Sequence, residues 1–167
     1  MTKTQKLTFI SIATVFALAL SYLEMLLPPI YASVPGVKVG FPNIIIIFLL
    51  YKFSVKEAAA VSLLRIILSS LLFGNVMIMF YSLLGAFLSL TLMAILKKSN
   101  FFSVVGVSII GGVAHNLGQI IAAILVTNTL QIGYYMLVLT VTGTAAGVIV
   151  GIAGAFLLKI SNRIKFK

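Results

Sequence analysis

Residues 76–98 read VMIMFYSLLGAFLSLTLMAILKK, an uncharged run over 76–96 closed by Lys97 and Lys98. A run of that length matches the roughly 20 residues a helix needs to cross the hydrocarbon core of a bilayer. The lysine pair at its end reads as a membrane interface. Working outward, apolar runs bounded by charges or by Pro and Gly clusters recur at Leu7–Leu27, Phe41–Phe53, Val55–Phe73, Val76–Leu96, Phe102–Val126 and Gly133–Leu158. Only 8% of the 167 residues are charged and the mean hydropathy is +1.24, which leaves too little polar surface for a water-soluble domain. The chain is therefore expected to be all-α: an integral membrane bundle of six transmembrane helices forming a single transmembrane domain over 1–167. The second run is the weakest, because Ile44–Tyr51 is intensely apolar but short. It must tilt, pinch the bilayer or begin with a non-helical stretch shielded by its neighbours.

The charge distribution orients this bundle. Of twelve basic residues, ten (Lys3, Lys6, Lys52, Lys56, Lys97, Lys98, Lys159, Arg163, Lys165 and Lys167) fall on one side of a six-span topology. The positive-inside rule makes that side the cytoplasm, with both termini there, in a bacterial cytoplasmic membrane. The net charge of +10 is thus topological and predicts no nucleic-acid partner. A secretory-signal reading of Lys3, Lys6 and Ala17-Leu18-Ala19 is weaker, since the apolar run continues through Tyr22 and Leu23.

The connection Pro28–Pro42 holds all four prolines, with Gly36 and Gly40, and falls on the external side. Proline restricts the backbone, so this is a stiff, shaped loop, either a functional lid or a connector. Small residues recur at helix-packing spacing, at Ala13 and Ala17 and at Gly143, Gly147 and Gly151. The glycine stripe is expected to pack inside the bundle. The alanine pair is open between packing and partner contact.

Polar groups inside a membrane are costly, so the few present are informative. Arg65 falls near mid-span. Glu57 is two turns away at the cytoplasmic end, which leaves Glu24 as the carboxylate at a comparable depth. Arg65 either pairs with Glu24 or faces a cavity, where its planar donor fork suits a phosphate or carboxylate. In the fifth span, His115 and Gln119 are four apart on one face, with Asn116 beside it. They can recognise a ring system or sugar, or simply bond between helices. Lys38, Asn43, Asn75 and Tyr81 form a third set near the external surface, and Tyr134 and Tyr135 read as interfacial anchors.

Enzyme chemistry finds little support. Two separated carboxylates cannot build an aspartate-rich diphosphate–magnesium site. GxSxG, HExxH and cysteine nucleophiles are absent, and a lone histidine makes no metal site. With no GxxxxGK[ST] loop, ATP-driven transport would need a motor on another chain.

The segments Pro35–Ile44, Ser62–Leu68, Leu71–Gly74 and Gly112–Gln119, above all His115-Asn116-Leu117-Gly118-Gln119, resemble the Gx transporter family, often labelled heptaprenyl diphosphate synthase component I. The likeness runs from about Ile12 to Ile160; Pro42 stands where a small residue such as alanine is expected. The family is grouped with the substrate-binding S components of energy-coupling factor (ECF) transporters. That kinship implies a lid formed by the first external loop, a ligand cavity in the outer half, and docking of the first helix on a membrane scaffold bound to two ATPases. The docking would use an alanine-x-x-x-alanine patch, here Ala13 and Ala17. Substrate contacts are expected from Arg65, His115, Asn116, Gln119, Lys38, Asn43, Tyr81 and Glu24. No catalytic cofactor is implied. Such proteins are often encoded near flavin-transfer and quinone-synthesis proteins, so a flavin or flavin nucleotide is the favoured transported ligand, with an isoprenoid diphosphate next. The alternatives are a non-catalytic membrane partner of a heptaprenyl or polyprenyl diphosphate synthase and a scaffold without ligand.

Overall fold

The computed structural model describes residues 2–27 and 40–163. Its helices are α1 (Lys3–Leu26), α2 (Asn43–Lys52), α3 (Val55–Phe73), α4 (Val76–Ser99), α5 (Val104–Thr127) and α6 (Met136–Arg163), the last preceded by a 3-10 turn over Leu130–Tyr135. Local chemistry sets their ends. Thr2 and Gln5 form a reciprocal capping box at the start of α1. Ser54, Asn75 and Ser103 each accept a first-turn backbone N–H of α3, α4 and α5. Asn100 and Asn128 close α4 and α5 at φ 53° and 55°, a left-handed conformation that asparagine tolerates.

Four stretches, Lys3–Leu26, Val76–Ser99, Val104–Thr127 and Leu130–Arg163, are long and apolar enough to cross a membrane. The chain is thus built as a multi-pass membrane protein. Two helices, α2 and α3, fall outside that long apolar set. α3 has 19 residues but carries Lys56, Glu57 and Arg65. α2 has only ten residues, roughly 15 Å of helix against a hydrocarbon core of about 30 Å. It begins after a tight turn in which Asn43 N–H donates to Gly40 C=O at 2.8 Å and Gly40 has φ 81°. Pro42, fully buried, has helical φ −59° and ψ −26°, so proline serves the helix start where a small residue was expected.

α2 is apolar on every side and buries Ile46, Ile47, Leu49 and Leu50, the pattern of a helix enclosed by others. It packs on α1, α3 and α6, while α1–α3, α3–α4, α4–α5 and α5–α6 are also neighbours. α2 therefore closes a ring of helices. Along the α5–α6 contact, a β-carbon at Gly147 would stand 2.5 Å from the Cα of Ile109, and one at Gly151 would stand 2.8 Å from that of Val105. The glycine stripe is internal packing, as expected, and it brings two backbones together without side chains between them.

Basic residues gather at one end of the bundle. Lys6 of α1 forms an ion pair with Glu57 at the start of α3. Lys52 Nζ donates to Asn162 Oδ1 of α6 at 2.8 Å. Lys97 Nζ donates to the carbonyl of Leu50 at 2.5 Å and lies 5.3 Å from the centre of the Tyr51 ring.

The alanine pair of α1 takes part in bundle packing, and Ala13 also borders a lateral slot between α1 and α6. Ala13 and Ala17 are 7% and 0% exposed and belong to the same core cluster as Ile46, Leu50, Ala58 and Val61. Together with Ser21 and Glu24 they form the inward stripe of α1, one residue per turn. Their small size lets α1 approach the bundle. The lipid-facing side of α1 carries Val15, Leu23 and Leu26 instead.

Candidate functional site

Arg65 lies at the eleventh position of the 19-residue α3, so its side chain projects from the middle of that helix into the bundle. It borders a cavity of about 120 Å³ that Glu24 of α1, Asn43 of α2 and His115, Asn116 and Gln119 of α5 also line. Glycines of α6 complete one wall. The cavity extends from Met25, Gly40 and Gly74, at the end remote from the basic residues, down to Ser89, Met93 and Ser108 between α4 and α5.

Arg65 Nη2 donates to Asn43 Oδ1 at 3.2 Å, while its Nε is sealed from solvent without a hydrogen-bond partner. Glu24 is near enough to act on the guanidinium electrostatically. Among the described residues, however, the ion pair formed within 4 Å is Lys6–Glu57 and not Glu24–Arg65. One oxygen of Glu24 instead accepts the backbone N–H of Gly40. The carboxylate thus ties the end of α1 to the turn that starts α2, and Arg65 keeps most of its donor fork directed elsewhere.

The α5 residues divide by role. Asn116 Nδ2 donates to the carbonyl of Leu139 on α6 at 2.7 Å, so its amide nitrogen joins helices. His115 packs on α4 where the chain has no side chain: a β-carbon at Gly85 would stand 3.1 Å from the imidazole. Gln119 lies one turn farther along the same face and borders the same cavity. This arrangement offers one guanidinium, one carboxylate, an imidazole, amides and hydroxyls within an apolar frame.

Of the eight expected contact residues, the structure brings six together: Arg65, Glu24, Asn43, His115, Asn116 and Gln119. Tyr81 does not line the cavity, because the face of α4 turned to it carries Ile78 and Ser82. Lys38 lies outside the described residues. Six serines (Ser21, Ser69, Ser70, Ser82, Ser89 and Ser108) line the cavity without having been singled out in the sequence. Their signal is weak, because serine inside an apolar span is also ordinary helix-packing material. Tyr134 and Tyr135 are 85% and 43% exposed in the 3-10 turn, away from the cavity, as interfacial anchors would be.

A family model described as "Heptaprenyl diphosphate synthase component I" matches residues 13–157. No curated protein and no solved structure matches the chain. The matched segment includes α2 to α5 entirely, most of α1 and α6, and every described residue of the cavity named above. The chain belongs to the heptaprenyl diphosphate synthase component I family.

Proposed function

We propose that this protein is a membrane substrate-binding subunit of an ATP-driven transporter, comparable to the S components of ECF transporters. The observation that supports this most is the convergence of Arg65, Asn43, Glu24, His115 and Gln119 from four helices on one cavity. That cavity reaches Met25, Gly40 and Gly74, at the end of the bundle opposite the basic cluster, the external end under the positive-inside rule. Arg65 holds the anionic or most electronegative group of the ligand. His115 and Gln119 read its hydrogen-bonding edge, and the serines line the wall. The subunit carries no chemistry of its own. Energy comes from a scaffold protein and two ATPases, which meet the outward side of α1, where Val15, Leu23 and Leu26 are exposed and Ala13 borders a lateral slot.

The transported ligand is a small vitamin-like molecule, with a flavin favoured. The cavity of about 120 Å³ is smaller than the roughly 300–1,000 Å³ of sites that enclose drug-sized ligands. A tricyclic ring therefore requires the cavity to widen on binding. Among the described residues the cavity offers one guanidinium and one carboxylate, and a flavin or flavin nucleotide would set its most electronegative group at Arg65.

The test is the content of the protein purified from its native membrane. A bound flavin, seen by its absorption and by mass spectrometry of the extract, supports the reading. The family description favours a second reading, a non-catalytic membrane partner of a polyprenyl diphosphate synthase. A ligand-free preparation that retains a soluble prenyltransferase, and no ATPase, would sink the transport reading in favour of that one.

A further inference from the structure

A second concavity lies on the lipid-facing side of the bundle, apart from the polar cavity. It is a slot of about 280 Å³ between α1 and α6 with α2 as its floor, lined by Phe9, Phe16, Ile45, Phe48, Leu157 and Ile160 among others. Its origin is the packing order: α1 and α6 each pack on α2, and the flank of α2 bearing Ile45 and Phe48 lies between them. Phe16 is 60% exposed and Ile160 39% exposed, so the slot is open laterally.

One end of the slot is electrically distinct. Ile45, Phe48 and Lys52 follow one another at i, i+3 and i+7 on one face of α2, so the apolar floor runs toward Lys52. Lys52 is exposed, and its Nζ donates to Asn162 Oδ1 at 2.8 Å, one residue beyond the Ser161 that borders the slot. An ammonium has three donors, and this bond uses one. The described residues of that end include eight basic side chains (Lys3, Lys6, Lys52, Lys56, Lys97, Lys98, Lys159 and Arg163) against the acid Glu57, which is already paired with Lys6.

We infer that the slot holds one acyl chain of an anionic phospholipid, with the phosphate headgroup placed at Lys52. An alkyl chain fits an elongated apolar groove open to the bilayer. A headgroup with net negative charge complements the basic end, whereas a zwitterionic headgroup brings its own cation into a cationic surface. The site is separate from the proposed transport cavity and stands whether or not that cavity binds a flavin.

The chain contains no tryptophan, so Phe16→Trp places a single tryptophan at the slot, excited at wavelengths where the six tyrosines do not absorb. The full-length variant, reconstituted in bilayers, is titrated with phosphatidylglycerol or phosphatidylcholine carrying identical brominated acyl chains, and quenching is read. Phosphatidylglycerol is expected to quench with about fivefold higher relative affinity, the selectivity of one surface lysine. Adding Lys52→Gln should remove that preference, while Lys98→Gln, at the same end but away from the slot, should retain it. Equal quenching by the two lipids, or equal losses in Lys52→Gln and Lys98→Gln, overturns the assignment by showing diffuse attraction only. Protection of the fluorophore from both lipids also overturns it, because the slot is then closed to acyl chains.

Discussion

Arg65 of α3 donates from Nη2 to Oδ1 of Asn43 at 3.2 Å, and the chain's nearby carboxylate, Glu24, is bonded to the backbone of Gly40 instead. A neutral amide therefore orients the guanidinium, whose Nε is left without a partner. A buried charge held this way is under-satisfied and suited to an anionic or strongly electronegative ligand group. Arg65→Lys keeps the charge but loses the planar fork. Ligand affinity, measured by equilibrium binding to the purified protein, should fall by about 10–100-fold, the value of one charge-assisted hydrogen bond. Unchanged affinity would remove Arg65 from the site.

Glu24 offsets the charge of Arg65 within the cavity. Glu24→Gln should therefore shift selectivity toward more anionic ligands, raising affinity for flavin mononucleotide relative to riboflavin. Competition binding with the two flavins measures that ratio. A ratio that stays constant or falls would mean that Glu24 does not set the charge selectivity of the cavity.

Asn116 and Gln119 separate structure from recognition. Asn116→Leu breaks the bond to the Leu139 carbonyl and should lower thermal stability by about 0.6 kcal/mol, up to about 1.7. Gln119→Leu should leave the melting temperature nearly unchanged while weakening ligand binding. If the two variants behave alike in both measurements, the division of roles along α5 is wrong.

Close helix contact gives a prediction independent of any ligand. Gly147→Ala would drive a methyl to 2.5 Å from the Cα of Ile109, whereas nothing lies within 4 Å of a β-carbon at Gly133. Thermal unfolding in detergent should show Gly147→Ala destabilised by about 1–3 kcal/mol, the usual cost of overpacking. Gly133→Ala should be neutral or slightly stabilising.

The first helix gives a paired test of docking against packing. Ala17 is 0% exposed, so Ala17→Leu should destabilise the bundle by about 1–3 kcal/mol. Val15→Arg, on a side chain 65% exposed, should leave ligand binding intact and abolish retention of a scaffold partner in pull-down. Retention by Val15→Arg would move the partner surface off the outward face of α1.

Much of the fold was legible in the sequence because its determinants are local. The predicted span Val55–Phe73 coincides with α3, and Val76–Leu96 falls within α4, because Ser54, Asn75 and Gly74 mark helix ends by their own chemistry. The convergence of Arg65 with the α5 face was also foreshadowed, since polar groups inside apolar runs have few places to go. The serines were not, because hydropathy cannot distinguish a hydroxyl that lines a cavity from one bonded to its own helix, as Ser21 Oγ is to the Ala17 carbonyl. The extent of α2, Asn43–Lys52, lies within the expected run Phe41–Phe53, but apolarity alone could not say how it is enclosed, since burial among helices and burial in lipid give the same composition.

By itself, the sequence determined that the chain is a bundle of apolar helices, where most of those helices end, and which residues form a basic end. Those properties follow from the transfer of each segment out of water and from capping groups a few residues away. Only the tertiary structure decided that Ala17 is buried in the core, that Asn43 and not Glu24 bonds Arg65, and that a slot runs between α1 and α6 over the flank of α2. These depend on the rotation and lateral placement of each helix. Contacts between residues as far apart as Asn43 and Arg65, or Asn116 and Leu139, set both, and no local pattern encodes them.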